Sequence, residues 1–262
     1  MRTGITRLDL LLRRRGTIGY ALGMAVYVFV VVALYPAFKN EKSLDKFTEG
    51  NSRIAALFGA TGSLTSPIGW LNANVYSNFL PLVVLLLGIG YGASALAGQD
   101  EDGTLGLIVT LPLSRRQIVA QKTLALVVLT VPTVAATLLV VLVGRAFDLS
   151  APLGALIGTS AGIALLGIDF GVLALFVGAV TGSRSIALGV SSALAATSYL
   201  ISSLAPVTNW VHPLRAVSLF FWAVGDGQLR TGLSVPSTLV LVLFALVGFG
   251  AAAAAFERQD VH

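Results

Sequence analysis

Apolar residues along this chain come in long runs, not in alternation. Ile18–Phe38, Asn78–Gly98, Ile118–Gly144, Leu153–Val180, Ile186–Ala205 and Ser237–Phe256 are each predominantly apolar. Each is about 20 residues or longer, the length an α-helix needs to cross a hydrocarbon core of ~30 Å. The pattern predicts an all-α membrane protein: six transmembrane helices in a single domain, residues 1–262, with strands nowhere favoured.

The polar interruptions refine this picture. Thr3–Arg15 places Ile5, Leu8, Leu11 and Leu12 near one face and Arg7, Arg13, Arg14 and Arg15 on the other. Such a segment reads as an N-terminal amphipathic interface helix in the headgroup layer, or as a simple positive anchor for the first span. YPAFKNEK after the first run lacks a small-residue cleavage site, so that run is expected to stay as a signal anchor. Lys39–Val75 is a long external segment. Its first half alternates in charge like a solvated helix, and its second half suits an interface or re-entrant turn; a lid over an outward vestibule is one expectation for it. Pro206–Pro236 is a second external segment, whose Phe220, Phe221 and Trp222 suggest an aromatic belt. With both termini inside, ten basic residues fall on the inner side and seven, mostly in the two long segments, on the outer. Short-loop bias therefore favours cytoplasmic termini in a multi-pass protein of the cell membrane.

Composition excludes more than it assigns. Hydrophobic residues make up 56% of the 262 and charged ones 11%, less than half the share of a soluble domain. Cysteine is absent and only His212 and His262 are histidines, so disulfides, thiolate sites and His-based metal centres are not expected. The net charge of +5 fits membrane anchoring of loops better than nucleic acid. No phosphate loop, HExxH or GxSxG motif occurs, which argues against ATP hydrolysis or other catalysis on this chain.

Two features carry candidate chemistry. Asp169, in LLGIDFGV, lies near the middle of the fourth run, where a charge costs on the order of 2.5–3.5 kcal/mol on insertion scales. It marks either a substrate path lined by a proton-sensitive carboxyl or a carboxyl hydrogen-bonded to a neighbouring helix for packing. Gly154, Gly158, Gly162, Gly167 and Gly171 in the same run form a small-residue ridge for close helix crossing, within the chain or between subunits.

The second feature is Gln99–Lys122. Asp100, Glu101 and Asp102 favour a helix start, Thr104 can cap, and Leu105, Leu107, Ile108 and Leu111 supply an apolar face. Pro112 ends that helix, and Ser114 can cap the next, which opens with Arg115 and Arg116. The expectation is a short surface helix joining spans two and three, or else a solvated loop.

The run Glu101-Asp102-Gly103-Thr104-Leu105, followed by Leu111-Pro112-Leu113-Ser114-Arg115-Arg116 and Lys122, resembles the signature of ABC-2 type transporter permeases. The basic N-terminal helix, six-span layout, long first external loop and insertion before the last span are similar too. The resemblance implies a permease subunit with no ATPase of its own and no cofactor. Two cytoplasmic ATP-binding subunits would hold ATP and Mg, and a second permease copy or homologue would complete the unit. It makes the segment around Asp100–Leu113 a cytoplasmic coupling helix. Asp100, Glu101, Asp102, Gly103, Thr104, Leu105, Pro112, Arg115 and Arg116 become the ATPase-interface residues. Export of a hydrophobic or amphiphilic compound is the expectation; a secondary transporter or a membrane scaffold is the alternative.

Overall fold

The structure, a computed structural model, describes residues 4–41, 63–225 and 227–258. These are helical throughout their regular parts. Helix α1 covers Gly4–Phe38. Helix α2, Pro67–Leu71, leads through a π turn, Asn72–Tyr76, into α3, Phe79–Ala93. A second π turn, Ser94–Gly98, precedes α4, Gln99–Glu101, and α5, Leu105–Val109. Then come α6, Arg115–Val143, α7, Leu153–Thr181, and α8, Arg184–Leu204. Helix α9, Gln228–Thr231, precedes α10, Val235–Arg258. Among the described residues six helical stretches are long and apolar enough to span a membrane.

The spans are not equivalent. In the most apolar windows of the second and fourth spans 61% of residues are buried, against 22% in the first, fifth and sixth. Spans two and four are therefore the centre, and lipid-length leucine faces such as Leu22, Leu239 and Leu243 point outward from the periphery. Glycine explains the central pairing. A Cβ on Gly88 would strike the Gly167 carbonyl, and one on Gly92 the Gly171 carbonyl, so α3 and α7 cross backbone to backbone. Gly158 and Gly162 instead face Leu233 and Ala223, in the segment before α10. The ridge thus serves packing within the chain on two sides, while Gly154 faces open space.

Three expectations change. The helix predicted at Thr3–Arg15 is present but forms the first turns of α1, which runs unbroken for 35 residues, ~52 Å at helical rise. Its inward face is Ile5, Thr6 and Asp9, whereas Leu8, Leu11 and Leu12 are exposed. Contacts with α6 select that face: the Ile5 amide donates to Gln121 Oε1 (3.0 Å) and Thr6 Oγ1 to the Gln121 carbonyl (2.9 Å).

In the segment between the first two spans Pro67–Tyr76 is helical, and it packs on the far half of α1. Trp70 Nε1 donates to the Val31 carbonyl, Tyr27 Oη to Asn74 and Tyr35 Oη to Thr65. The alternating-charge half of that segment lies outside the described residues.

Phe220 and Phe221 are buried, so they plug the bundle and do not form a surface belt. Serine hydrogen bonds draw them in: Ser218 Oγ donates to the Ser198 carbonyl at 2.7 Å, and Ser198 Oγ accepts from the Phe220 amide. Phe220 then meets Tyr199 edge to face.

Candidate coupling site

The start of α1, the segment between α4 and α6, and the end of α10 meet at one end of the bundle. Ser114 caps α6 as its sequence suggests, in a full capping box with Gln117. Thr104 does not cap α5; its hydroxyl donates back to the Gln99 carbonyl, closing a tight turn in which Gly103 takes φ +67°. The anticipated apolar face also divides. Leu105 is fully buried and Ile108 packs against the same core, while Leu107 is 72% exposed and Leu111 also faces outward. One side of α5 grips the bundle and the other is left free.

Glu101, Arg115, Arg116 and Lys122 each have a definite partner. Glu101 Oε1 accepts from the Arg184 amide (2.8 Å), so its carboxylate sits on the N-terminus of α8, where the helix dipole favours it. Arg115 donates to the Phe256 carbonyl (2.8 Å) and lies over the Phe256 ring, binding the open C-terminal carbonyls of α10. Arg116 pairs with Glu257 at 2.6 Å. Asp102, Gly103 and Pro112 are exposed. The segment is thereby fastened to the ends of α8 and α10 as well as joined to the second and third spans.

Lys122 forms the deepest connection. It is completely buried and its Nζ donates to both carboxylate oxygens of Asp9, at 3.0 and 2.9 Å. Tyr91 Oη from α3 donates to Asp9 Oδ2 at 2.6 Å, and Arg13 stacks on the Tyr91 ring. One carboxylate on α1 thus ties together α1, α3 and α6. Sequence reasoning missed Asp9, Tyr91 and Glu257. Asp9 had a usable signal: it is the one acid in a basic helix and lies four residues after Ile5, on the same face.

Asp169 presents the opposite case. It is fully buried in α7, and neither carboxylate oxygen has a hydrogen-bond partner among the described residues. Neighbours on its helical face, Gly162 and Val172, meet Ala223, Leu233 and Gly248. It lines neither of two cavities that open beside α8. One, of about 580 Å³, lies between α3 and α8 and is walled by Leu82, Leu86, Ile89, Ala196 and Phe220, with Asn78 and Tyr199 as polar lining residues. The other, of about 400 Å³, is bounded by Asn72 and Ser77 before α3, Ser202 of α8 and Arg230 of α9. Among the described residues no His, Cys, Asp or Glu group is arranged to hold a metal.

A six-span helical membrane protein, with a wired surface segment between spans two and three, is the class that this geometry defines. The model of the ABC-2 family transporter proteins matches residues 4–261, and the chain belongs to that family. No curated protein matches it. The chain is accordingly a transmembrane subunit of an ABC transporter.

Proposed function

We propose that this chain is the permease subunit of an ABC exporter for a hydrophobic or amphiphilic compound, driven by separate cytoplasmic ATP-binding subunits. The observation that carries this reading is the two-sidedness of α5. Leu105 anchors it in the core, Leu107 stands out unpartnered, and its flanks are fastened to α1, α6, α8 and α10. A partner that seated Leu107, Leu111 and Pro112 in a cleft would move the ends of several spans together. Two ATP-binding subunits and a second permease copy or homologue fit the family pattern, and the termini then lie on the cytoplasmic side. Binding of ATP to the partner supplies the differential stabilisation that a two-state switch requires. The largely apolar cavity between α3 and α8 suits an apolar cargo, oriented by the Asn78 and Tyr199 polar groups.

The test is co-purification with the ATP-binding subunit and assay of ATP hydrolysis by the complex. Leu107→Asp, at an exposed position, should leave the chain folded and abolish complex formation. A complex indifferent to that change would refute the seating of α5. The competing reading, an ion-coupled carrier, rests on the buried Asp169; cargo movement by the chain alone down an ion gradient would establish it and sink the ABC reading.

A further inference from the structure

At the same end of the bundle a separate cavity of about 390 Å³ opens between α1, α3 and the start of α8. Arg13, Tyr91, Gln99, Asp102, Thr104 and Arg184 contribute to its wall. Two of these are guanidinium groups, and among the described residues neither Arg13 nor Arg184 has a carboxylate within ion-pair distance. Asp9, also in the wall, is already held by Lys122 and Tyr91. Gln99 Oε1 is buried and receives no donor. Asp102 sits exposed at the rim. The cavity thus offers an unpaired double cation beside an unsatisfied acceptor and a carboxylate. Its place matters as well: it lies where α3 ends and α8 begins, and the exposed Leu12 and the small Ala95 complete the lining.

Guanidinium forks match phosphate oxygens in geometry and charge. Gln99 Oε1 and Asp102 can accept from an ammonium group, which carries three N–H donors and no acceptor. One ligand that satisfies both halves is a phosphate ester joined to a primary ammonium. We propose that this cavity binds the headgroup of a phosphoethanolamine-class phospholipid, with phosphate on Arg13 and Arg184 and ammonium on Gln99 Oε1 and Asp102. A trimethylated ammonium has no N–H to give Gln99, and a phosphoglycerol headgroup has no cation for Asp102. The site therefore discriminates among headgroups and does not simply attract negative charge. The proposal does not rest on the export reading, because it concerns a lipid held by this chain alone.

The test uses the full chain, purified in detergent, stripped of lipid, and titrated with lipids of identical acyl chains. Phosphatidylethanolamine should bind about tenfold more tightly than phosphatidylcholine or phosphatidylglycerol, the effect of losing one charge-assisted contact. It should also raise the thermal unfolding midpoint. Asp102→Asn, at an exposed position, should erase the preference over phosphatidylglycerol, and Arg184→Gln should weaken binding of all three. Glycerophosphoethanolamine, the same headgroup without acyl chains, should fail to compete at equal concentration. Equal binding of the three lipids, or an unchanged preference in Asp102→Asn, would overturn the proposal. Full competition by glycerophosphoethanolamine would overturn the lipid assignment in favour of a water-soluble phosphate ester.

Discussion

Asp9 and Asp169 are both buried carboxylates on long helices, yet their surroundings are opposites. Asp9 receives two hydrogen bonds from Lys122 and one from Tyr91. Asp169 receives none among the described residues. The region around Asp9 is held by charge and hydrogen bonds between distant stretches of sequence. The region around Asp169 is held by shape, with glycine backbones of α3 and α7 in contact and apolar side chains closing in. A removed partner and a removed charge should therefore have opposite effects in the two places.

The largest effect is expected at Lys122. Lys122→Met leaves Asp9 charged, buried and unpaired, which costs roughly 3–5 kcal/mol. Replacing both members, Asp9→Leu with Lys122→Met, should recover most of that loss. The unfolding midpoint in detergent measures both; equal loss in the single and double variants would mean that the pair is not coupled. In the middle of the bundle the sign reverses. Asp169→Leu removes a buried polar group that has no partner among the described residues, and should be neutral or stabilising by about 1–3 kcal/mol. A clear loss of stability would show that Asp169 has a partner after all and erase the contrast.

The smallest effect belongs to Lys39 and Asp148, an exposed pair (2.8 Å) that joins the far end of α1 to the turn after α6. The hydrogen bond and charge of Lys39 hold the Asp148 carboxyl below its ordinary range, and those of Asp148 hold Lys39 above its own. Asp148 thus contributes above the ordinary carboxylate range, and its share is lost as pH falls through the lowered value. Lys39 contributes below the ordinary lysine range and its share is lost as pH rises through the raised one. Asp148→Asn tolerates the left-handed backbone there, φ 59°. Its small cost should be flat between about pH 5 and 9 and vanish in acid. A cost that persisted in acid would assign the effect to the turn and not to the charge.

Much of this arrangement is legible along the chain, because it depends on neighbours in sequence. Apolar runs mark the six spans to within a few residues, except that α1 begins well before Ile18 and the second span is prolonged by π turns. Ser114 with Gln117 announces a helix start. What stays hidden depends on approach in space. The sequence around Asp9 marks it as the one acid of a basic helix but does not name its partner, because Lys122 lies more than a hundred residues away. Nothing local says that Leu105 turns inward and Leu107 outward, because the core that α5 grips is built by other helices. The resemblance makes Arg115 and Arg116 interface residues, and nothing local says that they also hold the end of α10.

The glycine crossing of α3 and α7 also sets an order of events during synthesis. Gly88 cannot meet Gly167 until about 80 further residues are made, roughly 4–16 s at ~5–20 residues per second. Lys122 leaves the ribosome well before that, and Asp9 is waiting for it. The ionic clasp between α1 and α6 can therefore close while the central pair is half made. Asp169 arrives last of the three, when α1 and α6 can already be clasped.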